Sequence, residues 1–222
     1  MIATPQKDND TRPRLIAAGA RLFGEHNGHE ITSRMLAREA GVNHAAINYH
    51  FGGRDGLCEA IFDHCLGEWT RVMRPVLEHA RAELDEPCDA PRLAAVLHDL
   101  VQHMIRVLTG QEESRFLAVL FNEGLIEPPQ FRRRLFDEVI QPFHTVAARL
   151  AGAARGLPED DLESVVLGQT IVAQCMTFFR GRILLLPRLK WQGFDPERSG
   201  RIADILSRSM RASLGLPDPP MD

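Results

Sequence analysis

A chain of 222 residues with 44% hydrophobic content can bury one large core or two smaller ones, and its 6% aromatic content, with a single tyrosine, suits aliphatic helical packing. No run reaches the ~18 uninterrupted apolar residues of a membrane span, residues 1–10 hold no hydrophobic signal region, and Cys58, Cys65, Cys88 and Cys175 show no CxxC spacing, so the expectation is a cytoplasmic chain with free thiols and no membrane partner. The net charge of −4 reads against nucleic-acid binding until it is divided: residues 1–57 hold seven basic and six acidic side chains, against nineteen and twenty-four in the remainder.

Residues 1–10 are polar and read as a disordered tail. A first helix follows from about Thr11 to His26, with Pro13 tolerated in its opening turn and Leu15, Ala18, Gly19, Leu22 and Phe23 spaced as one buried stripe. Asn27-Gly28 stops it. Thr32 then caps a short helix whose Leu36, Ala37 and Ala40 face inward, and Gly41 ends that helix in a left-handed turn plugged by Val42. Asn43 caps a second short helix anchored by Ile47 and Phe51, which leaves His44, Ala45, Ala46, Asn48, Tyr49 and His50 pointing largely outward. That helix is too short to stand alone and too poor in charge for ordinary surface. A helix-turn-helix at about 33–52, its second helix entering the major groove of DNA, accounts for both properties.

The run Thr32…Leu36-Ala37…Ala40-Gly41-Val42…Ile47…Tyr49-His50-Phe51…Arg54…Leu57, in order and without a gap, resembles the signature of TetR-family transcriptional regulators. Three positions depart from it. Asn43 replaces a capping serine, Asn48 stands where the signature has a phosphate-facing aromatic and supplies an amide able to read a base, and Arg54 replaces a lysine while keeping the charge for a phosphate. The resemblance implies a three-helix DNA-binding head over residues 11–57, with the first helix as its platform.

A long helix is expected from Arg54 toward Leu84, kinked at Pro75, with the 85–91 linker after it. The regulatory body, 58–216, adds helices near 92–109, 112–126, 129–155, 159–186 and 196–214, with a kink at Pro142. No strand pattern competes, so the fold class is all-α. The 159–186 helix carries two apolar stripes, Leu162, Val165, Val166, Val172, Met176, Phe179 and Ile183 on one side and Leu167, Ile171, Cys175, Phe178 and Leu185 on another, while Ser164 and Gly168 permit close approach. With Ile202, Ile205, Leu206, Met210 and Leu214 of the last helix, this spacing suggests a homodimer through the 159–186 and 196–214 helices, as in TetR-like proteins. The segments Phe131…Val139-Ile140-Gln141-Pro142-Phe143-His144 and Gln174-Cys175…Phe178-Phe179-Arg180 resemble the C-terminal domain of the CecR-type subgroup, with Ala173 where that pattern has glycine. This implies a helical regulatory domain without identifying its effector.

For DNA, Thr32, Ser33, Tyr49, His50 and Arg54 are phosphate candidates; Asn43, His44, Ala45, Ala46 and Asn48 are groove-floor candidates; Arg34 can reach either. A pocket for a small hydrophobic or amphipathic effector is expected to draw on Met104, Phe116, Phe121, Gln174, Cys175, Phe178 and Phe179, although core packing explains any one of them as well. No cofactor or metal is expected: His98 and His103 are five apart and point away from one another, and His64-Cys65 lacks zinc-site spacing. Arg132-Arg133-Arg134 reads as a solvated helix face. There is no Gly-rich phosphate loop, G-x-S-x-G or HExxH, so no catalytic residues are assigned. The reading is a ligand-responsive regulator, a repressor, that binds a palindromic double-stranded operator as a homodimer and is released when an effector shifts the 54–84 helix. The alternative is a helical ligand-binding or protein-interaction dimer that engages no operator, supported by Asn48 and the near-neutral head.

Overall fold

The computed structural model describes residues 10–26, 28–180 and 182–217, so the expected tail at 1–10 lies almost wholly outside the described residues. Twelve α-helices are formed among the described residues, with no strand. They are α1 (Thr11–Glu25), α2 (Ser33–Ala40), α3 (Ala45–Phe51), α4 (Arg54–Asp85), α5 (Ala90–Thr109), α6 (Gln111–Leu120), α7 (Glu123–Ile126), α8 (Pro129–Leu135), α9 (Gln141–Arg155), α10 (Leu162–Arg180), α11 (Arg182–Leu189) and α12 (Pro196–Leu214). A 3-10 turn, Gly28–Glu30, precedes α2.

The chain forms two compact units. The first unit runs up to Thr70 and takes in Arg115–Phe136; the second holds Arg71–Ser114 and the chain from Asp137 onward. The reason is burial along α4. Leu57, Ile61, Phe62, Cys65, Leu66 and Trp69 are all buried, so the first half of that helix belongs to the core of the first unit with Leu15, Phe23, Leu36 and Ile47. The 115–136 segment joins by specific contacts. Asn122 Nδ2 donates to the Phe23 and His26 carbonyls at 2.8 and 2.9 Å, closing the C-terminal end of α1, and Phe131 stacks on Phe62 with ring centroids 5.0 Å apart. Arg134 pairs with Asp63 at 2.6 Å and lies over the Phe62 ring, so one arginine of the triplet has a defined role in packing.

In the second unit α5 packs against α12 and α10 against α9, around Leu97, Val101, Ile105, Val146, Leu150, Cys175 and Met210. Asp89 and Asp195 cap α5 and α12 by accepting from Arg92 N and Arg198 N at 2.9 and 2.8 Å, with a proline in each opening turn. Gly168 lets α10 come close to α9, because a Cβ there would stand 2.6 Å from the Ala148 amide nitrogen. The close approach expected at Ser164 and Gly168 is therefore made within the chain.

Three helix expectations change. The 129–155 helix is interrupted at Phe136–Ile140 by a π-helical turn just ahead of Pro142, which has no N–H to offer the carbonyl four residues back. The 112–126 helix divides into α6 and α7, and the 159–186 helix begins at Leu162. Pro75 does not end α4, which continues to Asp85. Among the described residues, 162–179 alone are long and apolar enough to cross a membrane by length and composition, a test that core helices of globular bundles also pass. Their buried side carries Ser164, Gly168, Ile171, Val172 and Cys175, so Val172 belongs with the inward stripe, and Leu162, Val165 and Val166 remain exposed.

Candidate nucleic-acid interface

The turn between α2 and α3 is held by its own backbone and caps. Thr32 Oγ1 accepts from Met35 N at 3.3 Å. Gly41 adopts φ +63°, and the paired bonds from Gly41 N to Arg38 O (3.1 Å) and Val42 N to Ala37 O (3.0 Å) close α2. Only glycine takes that conformation without steric cost. Asn43 Oδ1 accepts from Ala45 N at 2.9 Å, so its oxygen is committed to starting α3 while its amide NH₂ remains a donor.

Two arginines from α1 complete this frame, and sequence reasoning missed both. Arg14 Nη2 donates to the Ala40 carbonyl at 2.6 Å and to Gly41 O at 3.2 Å, satisfying acceptors left open at the end of α2. Arg12 Nη1 donates to the His50 carbonyl at 2.9 Å while its guanidinium lies 4.6 Å over the Phe51 ring, which pins the end of α3. A basic pair flanking Pro13 was the available signal, but the acceptors are backbone carbonyls that no side-chain pattern reveals.

With Ile47 buried, α3 presents His44, Ala45, Asn48 and Tyr49 to solvent; Tyr49 is 76% exposed, although aromatic side chains are normally covered. His50 and Ala46 are half-buried, and the His50 ring sits edge-on to Tyr49 at 4.9 Å. Thr32 and Arg34 are exposed and Ser33 half-buried at the start of α2. Arg38, exposed one turn after Arg34 on the same face, is a further cation that sequence reading did not single out. Arg54 is partly engaged elsewhere: its Nη2 donates to the Ile31 carbonyl at 3.1 Å, tying the 3-10 turn region to the start of α4. The eleven positions thus fall in one helix-turn-helix region, with Arg54 serving the frame as well.

The expected effector residues are divided. Met104, Gln174, Cys175, Phe178 and Phe179 belong to the second unit, Phe116 and Phe121 to the first. Met104 and Cys175 are buried core, burial pushing the Cys175 thiol up to about 12, while Gln174, Phe178 and Phe179 are half-buried. Phe116 packs edge-on against His64 at 5.9 Å. Among the described residues, no group of three or more His, Cys, Asp or Glu could hold a metal.

Comparison with known proteins bears on this arrangement. Residues 93–216 match the family model for the HTH-type transcriptional dual regulator CecR, C-terminal domain, and residues 15–61 match that for bacterial regulatory proteins, tetR family. The dual regulator CecR of Shigella flexneri is 28% identical over 197 residues, 87% of this chain and 86% of the relative. The regulator BetI of Brucella suis is 33% identical over 86 residues, 39% of this chain and 40% of its own length. Among solved structures, AibR in complex with isovaleryl coenzyme A and operator DNA aligns over 90% of this chain and 97% of its own, with a TM-score of 0.63 at 14% identity. NalD of Pseudomonas aeruginosa, described as the secondary repressor of the MexAB-OprM multidrug efflux pump, aligns over 92% and 96%, with a TM-score of 0.56 at 21% identity. Family regulators of this kind are DNA-binding proteins and not enzymes. The chain belongs to the TetR family of transcriptional regulators and carries a CecR-type C-terminal domain.

Proposed function

We propose that this protein is a homodimeric repressor that binds a palindromic operator through α2 and α3 and leaves it when a small hydrophobic or amphipathic effector binds the regulatory unit. The observation that carries the reading is α3 itself, which buries only Ile47 and is pinned at its end by Arg12, yet turns Asn48, Tyr49 and His44 outward. A tyrosine 76% exposed on so short and firmly held a helix suits a partner lying against it. Tyr49, Thr32, Ser33, Arg34 and His50 meet phosphates, with Arg38 added and Arg54 contributing what its bond to Ile31 leaves. Asn48, Asn43 and His44 reach base edges, and Ala45 and Ala46 suit thymine methyl groups.

The dimer forms through the exposed apolar side of α10, with Leu162, Val165 and Val166, and through Ile205 of α12. Two recognition helices then fall at the half-site spacing of about 34–36 Å. AibR, with operator DNA and a coenzyme A thioester in its described complex, supports pairing DNA and effector sites in this fold; NalD supports repression, and CecR, a dual regulator, leaves room for activation. An effector acts only through its differential affinity for two conformations of the regulatory unit, transmitted along α4. Such a regulator acts in the cytoplasm.

Selection of bound fragments from a random duplex pool tests this. Recovery of a palindrome, lost with Tyr49→Ala, supports the dimeric operator reader. No enrichment by purified dimer at moderate salt overturns it in favour of a helical ligand-binding or interaction dimer.

A further inference from the structure

Within the second unit, a groove of about 470 Å³ lies between the C-terminal end of α5 and the N-terminal end of α12, in the size range of small-molecule sites. None of the seven expected effector residues lines it. At its floor, Thr109 Oγ1 donates to the Ile105 carbonyl at 2.6 Å; a hydroxyl has one proton, so the Ser199 hydroxyl 2.7 Å away donates to Thr109. Gln102 Nε2 is held by Asp204 at 2.7 Å. Asp195 is occupied twice, accepting from Arg198 N at 2.8 Å and pairing with Arg198 Nε at 3.2 Å. Each of these lining polar groups thus already makes at least one hydrogen bond within the protein.

Arg106 is the exception. It is the cation lining the groove, it is exposed, and among the described side chains its guanidinium has no hydrogen bond or ion pair. Its field is felt nearby, since burial and then the Arg106 charge hold the imidazole of His103 below its ordinary value of 6.5.

Gly200 shapes the open side of the groove. It stands inside α12, where glycine weakens a helix relative to alanine. It is not among the glycines with positive φ, and a Cβ placed on it would meet nothing within 4 Å. Neither backbone conformation nor packing requires glycine there, and the space it leaves forms part of the groove.

We propose that this groove is a binding site for a small amphipathic carboxylate, its head on the Arg106 guanidinium and its apolar body along Phe194, Pro196 and the open backbone at Gly200. Arg holds a carboxylate through two parallel N–H bonds. Sugars and nucleotides need several further hydrogen-bond partners, and most of the polar side chains of this groove already have one within the protein. The proposal concerns ligand binding only and stands apart from operator recognition, so either can fail alone.

The test is calorimetric titration of the full-length protein with octanoate and phenylacetate, using octanol and 2-phenylethanol as uncharged counterparts. Saturable binding of at least one carboxylate, near one per chain, is expected. Arg106→Gln weakens it tenfold or more, Arg106→Lys weakens it less, and Gly200→Leu, which fills the groove, removes it while circular dichroism and retention on duplex DNA stay as in the parent. Should Gly200→Leu not fold, Arg106→Gln and Gly200→Ala decide the matter, the latter narrowing the groove while favouring the helix. No saturable carboxylate binding, equal binding by the parent and Arg106→Gln, or an alcohol binding as tightly as its acid would overturn the proposal.

Discussion

The outer faces of α3 and α10 are both open to solvent, and they differ in kind. On α3 the exposed side chains include Asn48, Tyr49 and His44, each able to make a hydrogen bond as well as a contact. On α10 they include Leu162 at 78% exposure and Val166 at 50%, which can offer only surface to be taken out of water. A face of the first kind suits a polar, charged partner such as DNA, which keeps its hydration until specific bonds replace it. A face of the second kind gains from any dry, complementary surface, and a second copy of the same helix supplies one. Exposure alone does not separate the two; the chemistry of the exposed atoms does.

Charging the apolar face should have the largest effect. Val166→Glu places a carboxylate where the proposed partner lies but leaves the single chain undisturbed, so analytical ultracentrifugation should show monomer and operator affinity should fall at least ~100-fold through lost bivalency. A stable dimer of that variant would refute the assignment of this face. On α3, Asn48→Ala should change preference at particular base pairs by about 1–3 kcal/mol while random-duplex binding holds. Equal losses on specific and random DNA would remove its base-reading role.

A third substitution separates contact from framework. Gly41→Ala forces a side chain into a left-handed turn and brings its Cβ to 2.9 Å from Arg14 Nη2. Thermal or urea unfolding should register a loss of about 1–2 kcal/mol, whereas Tyr49→Ala should leave the unfolding midpoint in place. For Tyr49→Ala the expected loss is about 1 kcal/mol, spread evenly over all DNA sequences and seen in filter-binding titrations across salt concentrations. If Tyr49→Ala lowered the midpoint instead, the ring would belong to the packing of the head.

The sequence by itself determined the local framework. The caps at Thr32 and Asn43, the left-handed turn at Gly41, the inward Leu36 and Ile47 and the all-helical character are each set by residues within a few positions of one another, where backbone sterics and the 3.6-residue period act directly. Periodicity likewise showed that α10 has two apolar sides, though it grouped Val172 with the wrong one, because adjacent positions on a helix differ by only about 100° and the neighbour decides which is covered. The tertiary structure alone decided the remainder. Arg12 and Arg14 find backbone carbonyls of the helix-turn-helix, Asn122 closes α1 from about a hundred residues away in sequence, and Phe131 stacks on Phe62. These contacts join distant segments through acceptors that every residue carries, so composition and spacing hold no trace of them. The groove beside Arg106 is of the same kind, since an empty space exists only once the helices around it have been placed.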